Sequence, residues 1–189
     1  RYPAAHDDAF NAYKWVLAHA SSLGGTPRWI AVGGESAGGN LAASVCLRAR
    51  SENLPLPVHQ LLIYPVLDSD MSRPSYLINE QAKPLNKEMM KWFFTHYFGS
   101  TSPEFEEWAL PLKAQNLSAL PPTTIITAEI DPLCSEGELF ADQLLQSGVE
   151  VFKKRYEGVT HEFFGFASFV PQAQDALKEC VKQLKKSFE

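Results

Sequence analysis

The sequence predicts an α/β domain in which helices flank a mostly parallel sheet of four strands. Short apolar runs bounded by turn residues alternate along the chain with longer segments whose apolar residues recur at helical spacing. The 189 residues, of which 45% are hydrophobic, are enough for one domain with a core. Strands separated by helices have the long crossover connections that parallel pairing requires, so the alternation favours a parallel sheet.

Each element is predicted from a local signal in the chain. The run Trp29-Ile30-Ala31-Val32 lies between turn residues, which is typical of a buried strand. Helices are predicted where apolar side chains return every three to four residues, and glycine or proline marks their ends. The predicted order is a helix at 3–20, a strand at 29–32, a helix at 37–50, a strand at 59–64, a helix at 86–98, a strand at 123–128, a helix at 135–147, a strand at 149–156 and a helix at 172–188.

The segment 68–120 lacks the regular alternation of strand and helix seen in the rest of the chain. It is predicted to form a cap-like excursion between two strands of a single domain, 1–189. Four prolines interrupt it, at positions 74, 84, 103 and 111. Asn86 is predicted to cap a helix with a broad apolar face. The aromatic residues of that helix suit a protein core or, as an alternative, the lining of an acyl or alcohol pocket: Trp92, Phe93, Phe94, Tyr97 and Phe98.

Composition argues against several classes of function. A net charge of −5 and a pI near 5.6 argue against nucleic-acid binding, which needs a basic face. No apolar run approaches the roughly 18 residues of a membrane-spanning helix. The three cysteines are odd in number and widely spread, so they match neither a disulfide framework nor a zinc site. We therefore expect no metal, no cofactor and a reducing compartment, the cytoplasm.

The segment Gly34-Glu35-Ser36-Ala37-Gly38 has the spacing G-x-S-x-G of a nucleophile turn. A predicted strand precedes it and an Ala/Leu-rich helix follows, so the turn is expected to be sharp and strained at Ser36. Glycines are expected there because a Cβ would collide with the neighbouring chain. The backbone N–H of Ala37 is then free to stabilise an oxyanion. A glycine-rich turn with a capping serine is the alternative interpretation.

A serine hydroxyl needs a base to activate it, and the base needs an acid to orient it. His161 follows the fourth predicted strand, at the sheet edge where ligands bind in such folds, whereas the other four histidines lie on helices or open a strand. Asp131 follows the third predicted strand, and Pro132 favours an extended backbone there. Glu129 is a rival carboxylate, but it falls inside the strand end. A structural histidine and a turn-forming Asp-Pro pair are the alternatives to a triad with Ser36.

At 33–43 the sequence G-G-E-S-A-G-G-N-L-A-A resembles the nucleophile turn of the hormone-sensitive-lipase-like α/β-hydrolases, whose bacterial esterases are the most similar. Segments at 2–8, 131–137 and 156–165 are similar to further signatures of that family. The resemblance spans essentially the whole chain and implies the C-terminal part of an α/β-hydrolase fold. It also implies carboxylic-ester hydrolysis with Ser36 as nucleophile, His161 as general base and then acid, and Asp131 as the orienting acid.

The chain departs from the family pattern at three places. The family more often has Asp where Glu35 stands, and it commonly has glycine where Glu162 stands. The Glu162 carboxylate, beside the predicted base, is expected either to act on it or to point to solvent. The larger departure is that no H-G-G sequence occurs in the chain, although such a segment supplies most oxyanion donors in this family. We therefore expect a fragment that lacks the N-terminal strands and the oxyanion loop; a natural minimal variant is the alternative.

The predicted function is a serine carboxylesterase that hydrolyses short- to medium-chain esters through an acyl-enzyme, with a small-molecule ester as its partner. The alternatives are a non-catalytic ligand-binding member or an inactive fragment of the same fold, and peptidase activity stays open. In a fragment, the strand at 29–32 would form an edge of the sheet. Its unpaired backbone groups attract another chain, so a homodimer or an aggregate is expected.

Overall fold

The computed structural model describes residues 1–99 and 107–189. Its sheet has four strands, each parallel to its neighbours, and they follow one another in sequence order across the sheet. The strands are β1 (Ala31–Glu35), β2 (His59–Ile63), β3 (Thr123–Ile130) and β4 (Val151–Thr160). The predicted fold class, a parallel sheet of four strands flanked by helices, is confirmed.

Helices cover both faces of the sheet, because each parallel connection must cross over one face. They are α1 (Ala4–His19), α2 (Ala37–Ser51), α3 (Pro74–Ile78), α4 (Lys87–Phe98), α5 (Cys134–Gln146) and α6 (Pro171–Ser187). Successive residues of a strand point to opposite faces. Leu62 accordingly lies in a core with α2 and α5, whereas Ile63 lies in a second core with α6. Helix α1 packs on α2 through Phe10 and Val45.

The bounds of β1 and β4 differ from the prediction in a way that brings residues to one edge of the sheet. Strand β1 starts two residues later than predicted and runs to Glu35, so it ends directly before the predicted nucleophile. Strand β4 continues to Thr160 rather than ending at 156, with a register irregularity opposite 128–130. Gly158 adopts a φ of +70°, which lets the strand bend without ending. The predicted base therefore follows β4 directly.

The segment 68–120 contains α3, α4 and a short 3₁₀ turn at Pro111–Lys113, and its described residues form no strand. The side chain of Asn86 accepts a hydrogen bond from the Met89 backbone N–H at 2.9 Å, so the predicted helix cap is confirmed. Residues 100–106, which include the predicted interruption at Pro103, lie outside the described residues. The cap-like role of the segment stays a prediction.

Strand β1 lies at one edge of the described sheet, as expected. Self-association through that edge stays a prediction. Within 1–99 and 107–189, no helix is long and apolar enough to cross a membrane. The same two ranges contain no group of three or more His, Cys, Asp or Glu residues arranged to hold a metal ion. Cys46, Cys134 and Cys180 are buried and carry free thiols.

Candidate active site

Ser36 stands on a sharp turn between the end of β1 and the start of α2. Its φ of 54° and ψ of −119° lie in a region that non-glycine residues rarely occupy, so the predicted strain is present. A Cβ on Gly34 would lie 2.3 Å from the backbone of Gly38, and one on Gly39 would lie 2.8 Å from the Pro65 side chain. A Cβ on Gly38 would meet nothing within 4 Å. The steric need for glycine therefore falls on the first and last of these three positions.

The backbone of Ser36 is tied into the neighbouring strand. Its N–H donates to the Ile63 carbonyl at 2.9 Å, and its carbonyl accepts from the Val66 N–H at 3.2 Å. The Ser36 N–H is therefore occupied and is not available to a substrate. Ala37 is the first residue of α2, where an N–H has no partner within the helix and the helix dipole favours negative charge. This is the donor that the sequence predicts for an oxyanion.

His161 lies between the other two predicted residues. Its Nε2 is 3.0 Å from the Ser36 Oγ, and its Nδ1 is 2.7 Å from the Asp131 Oδ2. An ionised carboxylate only accepts hydrogen bonds, so Nδ1 carries the ring hydrogen and Nε2 presents a lone pair to the hydroxyl. The structure thus brings together the three side chains that were predicted from separate parts of the sequence.

Asp131 is fully buried at the end of β3, and its carboxylate is fixed on both oxygens. Oδ2 meets His161, while Oδ1 accepts a hydrogen bond from the Leu133 N–H at 2.9 Å. The Asp131 carbonyl accepts from the Asn79 side chain at 3.2 Å. These bonds hold the carboxylate in one orientation, which in turn fixes the imidazole.

The rival carboxylates have other surroundings. Glu129 lies within β3, is exposed, and accepts a hydrogen bond from the Gly158 N–H at 2.7 Å. Glu162 is exposed and adopts a φ of +67°, the left-handed conformation that glycine takes most easily. That conformation gives a physical reason for the glycine that the resemblance leads one to expect at this position.

A second buried acid, whose contacts the sequence did not predict, supports the chain that follows β2. Glu136 on α5 is fully buried, and its Oε1 accepts a hydrogen bond from the Leu67 N–H at 2.7 Å. Burial raises the pKa of Glu136 well above its usual range, against the opposing effect of that hydrogen bond. Asp68 is also buried and pairs with Arg73. The carboxylate of Glu136 thus links α5 to the chain that follows β2.

An apolar cavity of about 430 Å³ opens beside Ser36. Its wall on the α4 side includes four of the five aromatic residues for which the sequence left core and pocket lining as alternatives: Phe93, Phe94, Tyr97 and Phe98. Trp92 is not part of the lining and is 57% exposed. Asn40 reaches the cavity from α2, and its side chain donates to the carbonyls of Val66 and Ala109 at 2.9 Å each.

A parallel sheet with a Ser–His–Asp chain of hydrogen bonds at the carboxyl ends of its strands defines the class of α/β-hydrolase folds. Comparison with known proteins gives the same class, because a family described as the alpha/beta hydrolase fold matches residues 1–165. The chain belongs to that family, in its hormone-sensitive-lipase-like branch.

Several curated relatives are esterases. The chain is 38% identical to carboxylesterase NlhH of Mycobacterium tuberculosis over 99% of this chain and 60% of that protein. It is 33% identical to an ethyl acetate hydrolase of Pseudomonas putida over 97% of this chain and 58% of that protein. The chain therefore spans about 60% of the length of these relatives.

A solved structure shows how closely the backbone follows this family. The metagenomic thermostable carboxylesterase EstE1 superposes with a TM-score of 0.95 and 37% identity, over 100% of this chain and 65% of that one. A hyperthermophilic esterase from Pyrobaculum calidifontis superposes with a TM-score of 0.94 and 37% identity, over 98% of this chain and 62% of that one. At 37% identity, the chain resembles these esterases in sequence as well as in fold.

Proposed function

We propose that this chain carries the nucleophile, base and orienting acid of a carboxylesterase. The single observation that supports the proposal most directly is the pair of hydrogen-bond distances at His161, 3.0 Å to the Ser36 Oγ and 2.7 Å to the Asp131 Oδ2. Both are hydrogen-bond distances, and 3.0 Å lies in the range in which a general base such as His161 takes a hydroxyl proton. The curated relatives named above, a carboxylesterase and an ethyl acetate hydrolase, support the same reaction.

In the proposed reaction, the Ser36 Oγ attacks the ester carbonyl carbon while its proton moves to the His161 Nε2. The carbonyl oxygen becomes an oxyanion, and Asp131 stabilises the imidazolium that has formed. Collapse of this intermediate breaks the ester C–O bond, and His161 returns the proton to the departing alcohol. A water molecule then attacks the acyl-Ser36 ester by the same route, which releases the carboxylic acid and restores the hydroxyl.

The cavity beside Ser36 supports short- to medium-chain acyl groups as the substrate class. Its volume of about 430 Å³ lies towards the small end of the roughly 300–1,000 Å³ typical of small-molecule sites. Its lining from α4 is aromatic, so each methylene of an acyl chain placed there gains about 0.8 kcal/mol from leaving water until the space is filled. Longer chains gain nothing further.

The test is hydrolysis of p-nitrophenyl esters from acetate to laurate, together with labelling by a fluorophosphonate probe. The chain should be expressed with any upstream sequence that its gene encodes. Ser36→Ala is expected to lower kcat by about 10⁶-fold and to abolish labelling, because the nucleophile and its base act as a unit. The far-ultraviolet circular dichroism should not change, since the side chain stands on a turn.

Ser118→Ala is the matched control, because it removes the hydroxyl of an exposed serine away from His161. Hydrolysis and labelling that survive in Ser36→Ala would contradict the proposal. An unreactive Ser36 in the unsubstituted protein would support the alternative, a ligand-binding member without turnover.

A further inference from the structure

Tyr64 follows β2 and occupies an unusual position between two parts of the site. Its ring centroid lies 4.4 Å from that of His161, with an angle of 50° between the ring planes. At the far end of the ring, the Tyr64 hydroxyl donates a hydrogen bond to the Glu35 Oε2 at 2.6 Å. Glu35 directly precedes Ser36, so a second chain of contacts joins the nucleophile turn to the histidine.

The backbone at Tyr64 supports a special role for this side chain. Its φ is +34°, a value that bulky residues rarely adopt, and Pro65 restricts it further. The Tyr64 N–H donates to the Ile126 carbonyl at 2.6 Å, which holds the strained residue against β3. Backbone strain of this kind persists only where the surrounding structure enforces it. In this backbone conformation the Tyr64 ring packs against that of His161, tilted by 50°.

Packing leaves the Tyr64 ring little freedom. The residue is 1% exposed, and Phe163 lies edge-on to it with a centroid distance of 6.0 Å. Burial, followed by the hydrogen bond to Glu35, raises the pKa of the Tyr64 phenol, so it stays a donor at neutral pH. A phenol that donates to a carboxylate has a more electron-rich ring, and the face of such a ring attracts a cation.

We propose that Tyr64 is a positioning residue for His161: its ring face holds the imidazole between Ser36 and Asp131, and Glu35 anchors the ring through the hydroxyl. This inference rests on the proposed function, in which His161 becomes an imidazolium at each step. The ring face then stabilises the protonated imidazole from a direction that Asp131 does not occupy. The role also gives Glu35, a departure from the commoner Asp, a specific partner.

Three carboxylates lie near the contact between Tyr64 and His161, and the experiment must distinguish their effect on His161 from that of the Tyr64 ring. Asp131 binds the imidazole directly, Glu35 binds the phenol, and Glu162 follows His161 in the chain. Tyr64→Leu removes the ring and leaves all three charges in place, whereas Tyr64→Phe removes only the anchor to Glu35. Comparing the two variants therefore separates the ring face from the charges.

The experiment follows the His161 ring signals by NMR in ¹⁵N-histidine-labelled protein across pH, beside kcat and KM for a p-nitrophenyl ester. Tyr64→Leu is expected to move the midpoint of the His161 signals down by about 0.5–1 pH unit and to lower kcat about tenfold, with KM changed less. Tyr64→Phe should lower kcat by about threefold, and Glu35→Gln by less, because a glutamine oxygen still accepts the hydrogen bond without the charge. The double variant should be no worse than Tyr64→Phe alone, because both changes act on the one hydrogen bond between Tyr64 and Glu35.

Tyr156→Phe is the matched control. Its hydroxyl also donates to a carboxylate, that of Asp175 at 2.8 Å, and its ring also packs on Phe163. This variant should leave the His161 midpoint and kcat unchanged. A folded Tyr64→Leu protein with an unmoved midpoint would overturn the inference. If Tyr64→Leu does not fold, losses in Tyr64→Phe and Glu35→Gln that multiply in the double variant would overturn it instead.

The two proposals fail in distinguishable ways, since the ring signals report on His161 without turnover. A shifted midpoint in a protein whose Ser36 is unreactive would contradict the proposed esterase and support the positioning role. Hydrolysis by the unsubstituted chain together with an unmoved midpoint in Tyr64→Leu would support the esterase and contradict the positioning role.

Discussion

His161 and His59 are buried to nearly the same extent, with 4% and 3% of their surfaces exposed. Both ring nitrogens of each histidine lie within hydrogen-bond distance of a side chain. The partners of His59 are the hydroxyls of Ser187 and Thr124, each at 2.9 Å. One partner of His161 is instead a carboxylate.

That difference separates a histidine suited to moving protons from one suited to holding a structure. Hydroxyl groups satisfy a neutral imidazole but do not balance a positive charge, so burial lowers the pKa of His59 to about 4, although Glu150 opposes the shift. A carboxylate stabilises the imidazolium and orients the ring. Burial alone therefore does not define a general base; the charge of the partner does.

The largest expected effect concerns the oxyanion rather than the histidine. The Ser36 N–H is occupied by the Ile63 carbonyl, so we expect the Ala37 N–H at the start of α2 to donate to the oxyanion. Adding an upstream H-G-G-G segment to residues 1–189 is expected to speed the hydrolysis of a nitrophenyl ester by about 10⁴–10⁶-fold, since each oxyanion donor is worth about 10²–10³ in kcat. Equal rates would mean that the donors come from elsewhere.

Changing one partner of each histidine is expected to separate their roles. Asp131→Asn is expected to lower kcat by about 10⁴-fold, because the ring loses the acceptor that sets its tautomer. Thr124→Val removes the corresponding partner of His59, and kcat should stay within about twofold while stability falls by about 1–3 kcal/mol. The measurements are ester kinetics and urea unfolding. If Asp131→Asn kept most of the rate, the acid would have to be Glu129 or Glu162.

A smaller effect is expected from pH at His59. Its pKa is about 4 in the folded protein and about 6.5 when unfolded, so between these values the unfolded chain binds more protons. Stability from this group is complete above about pH 6.5 and is lost as pH falls towards about 4. His59→Gln should flatten this part of the curve of unfolding free energy against pH. The control is His19→Gln at an exposed position, and an equal flattening there would contradict the assignment.

The smallest effect is expected from Glu162, beside His161. The left-handed φ of +67° costs a non-glycine residue about 1–2 kcal/mol. Glycine avoids this cost, but its greater freedom in the unfolded chain lowers the stability of the folded state by about 0.5–1 kcal/mol. Glu162→Gly should therefore raise stability by up to about 1 kcal/mol, measured by urea unfolding, and leave kcat nearly unchanged. Gly158→Ala is the reverse control: at a φ of +70° it should destabilise the protein.

The sequence was sufficient to predict the fold class and the residues that meet at His161. Strand–helix alternation and the turn at Ser36 are local signals, and parallel strands bring their carboxyl ends to one edge. The contacts of Tyr64 were not predictable in this way, because its positive φ precedes a proline and no local rule indicates it. The His59 contacts join residues 65 and 128 positions apart, and a sequence pattern carries no signal for such pairs.

Two of the backbone hydrogen bonds of Ser36, those to Ile63 and Val66, join the nucleophile turn to β2 and the residues that follow it. The ordering of this serine is therefore completed when β1 and β2 pair, and a substrate does not have to induce it. Heating should then abolish the reactivity of Ser36 in one step with the melting of the sheet, with no earlier loss. A fluorophosphonate-labelling curve and a circular-dichroism melting curve should share one midpoint.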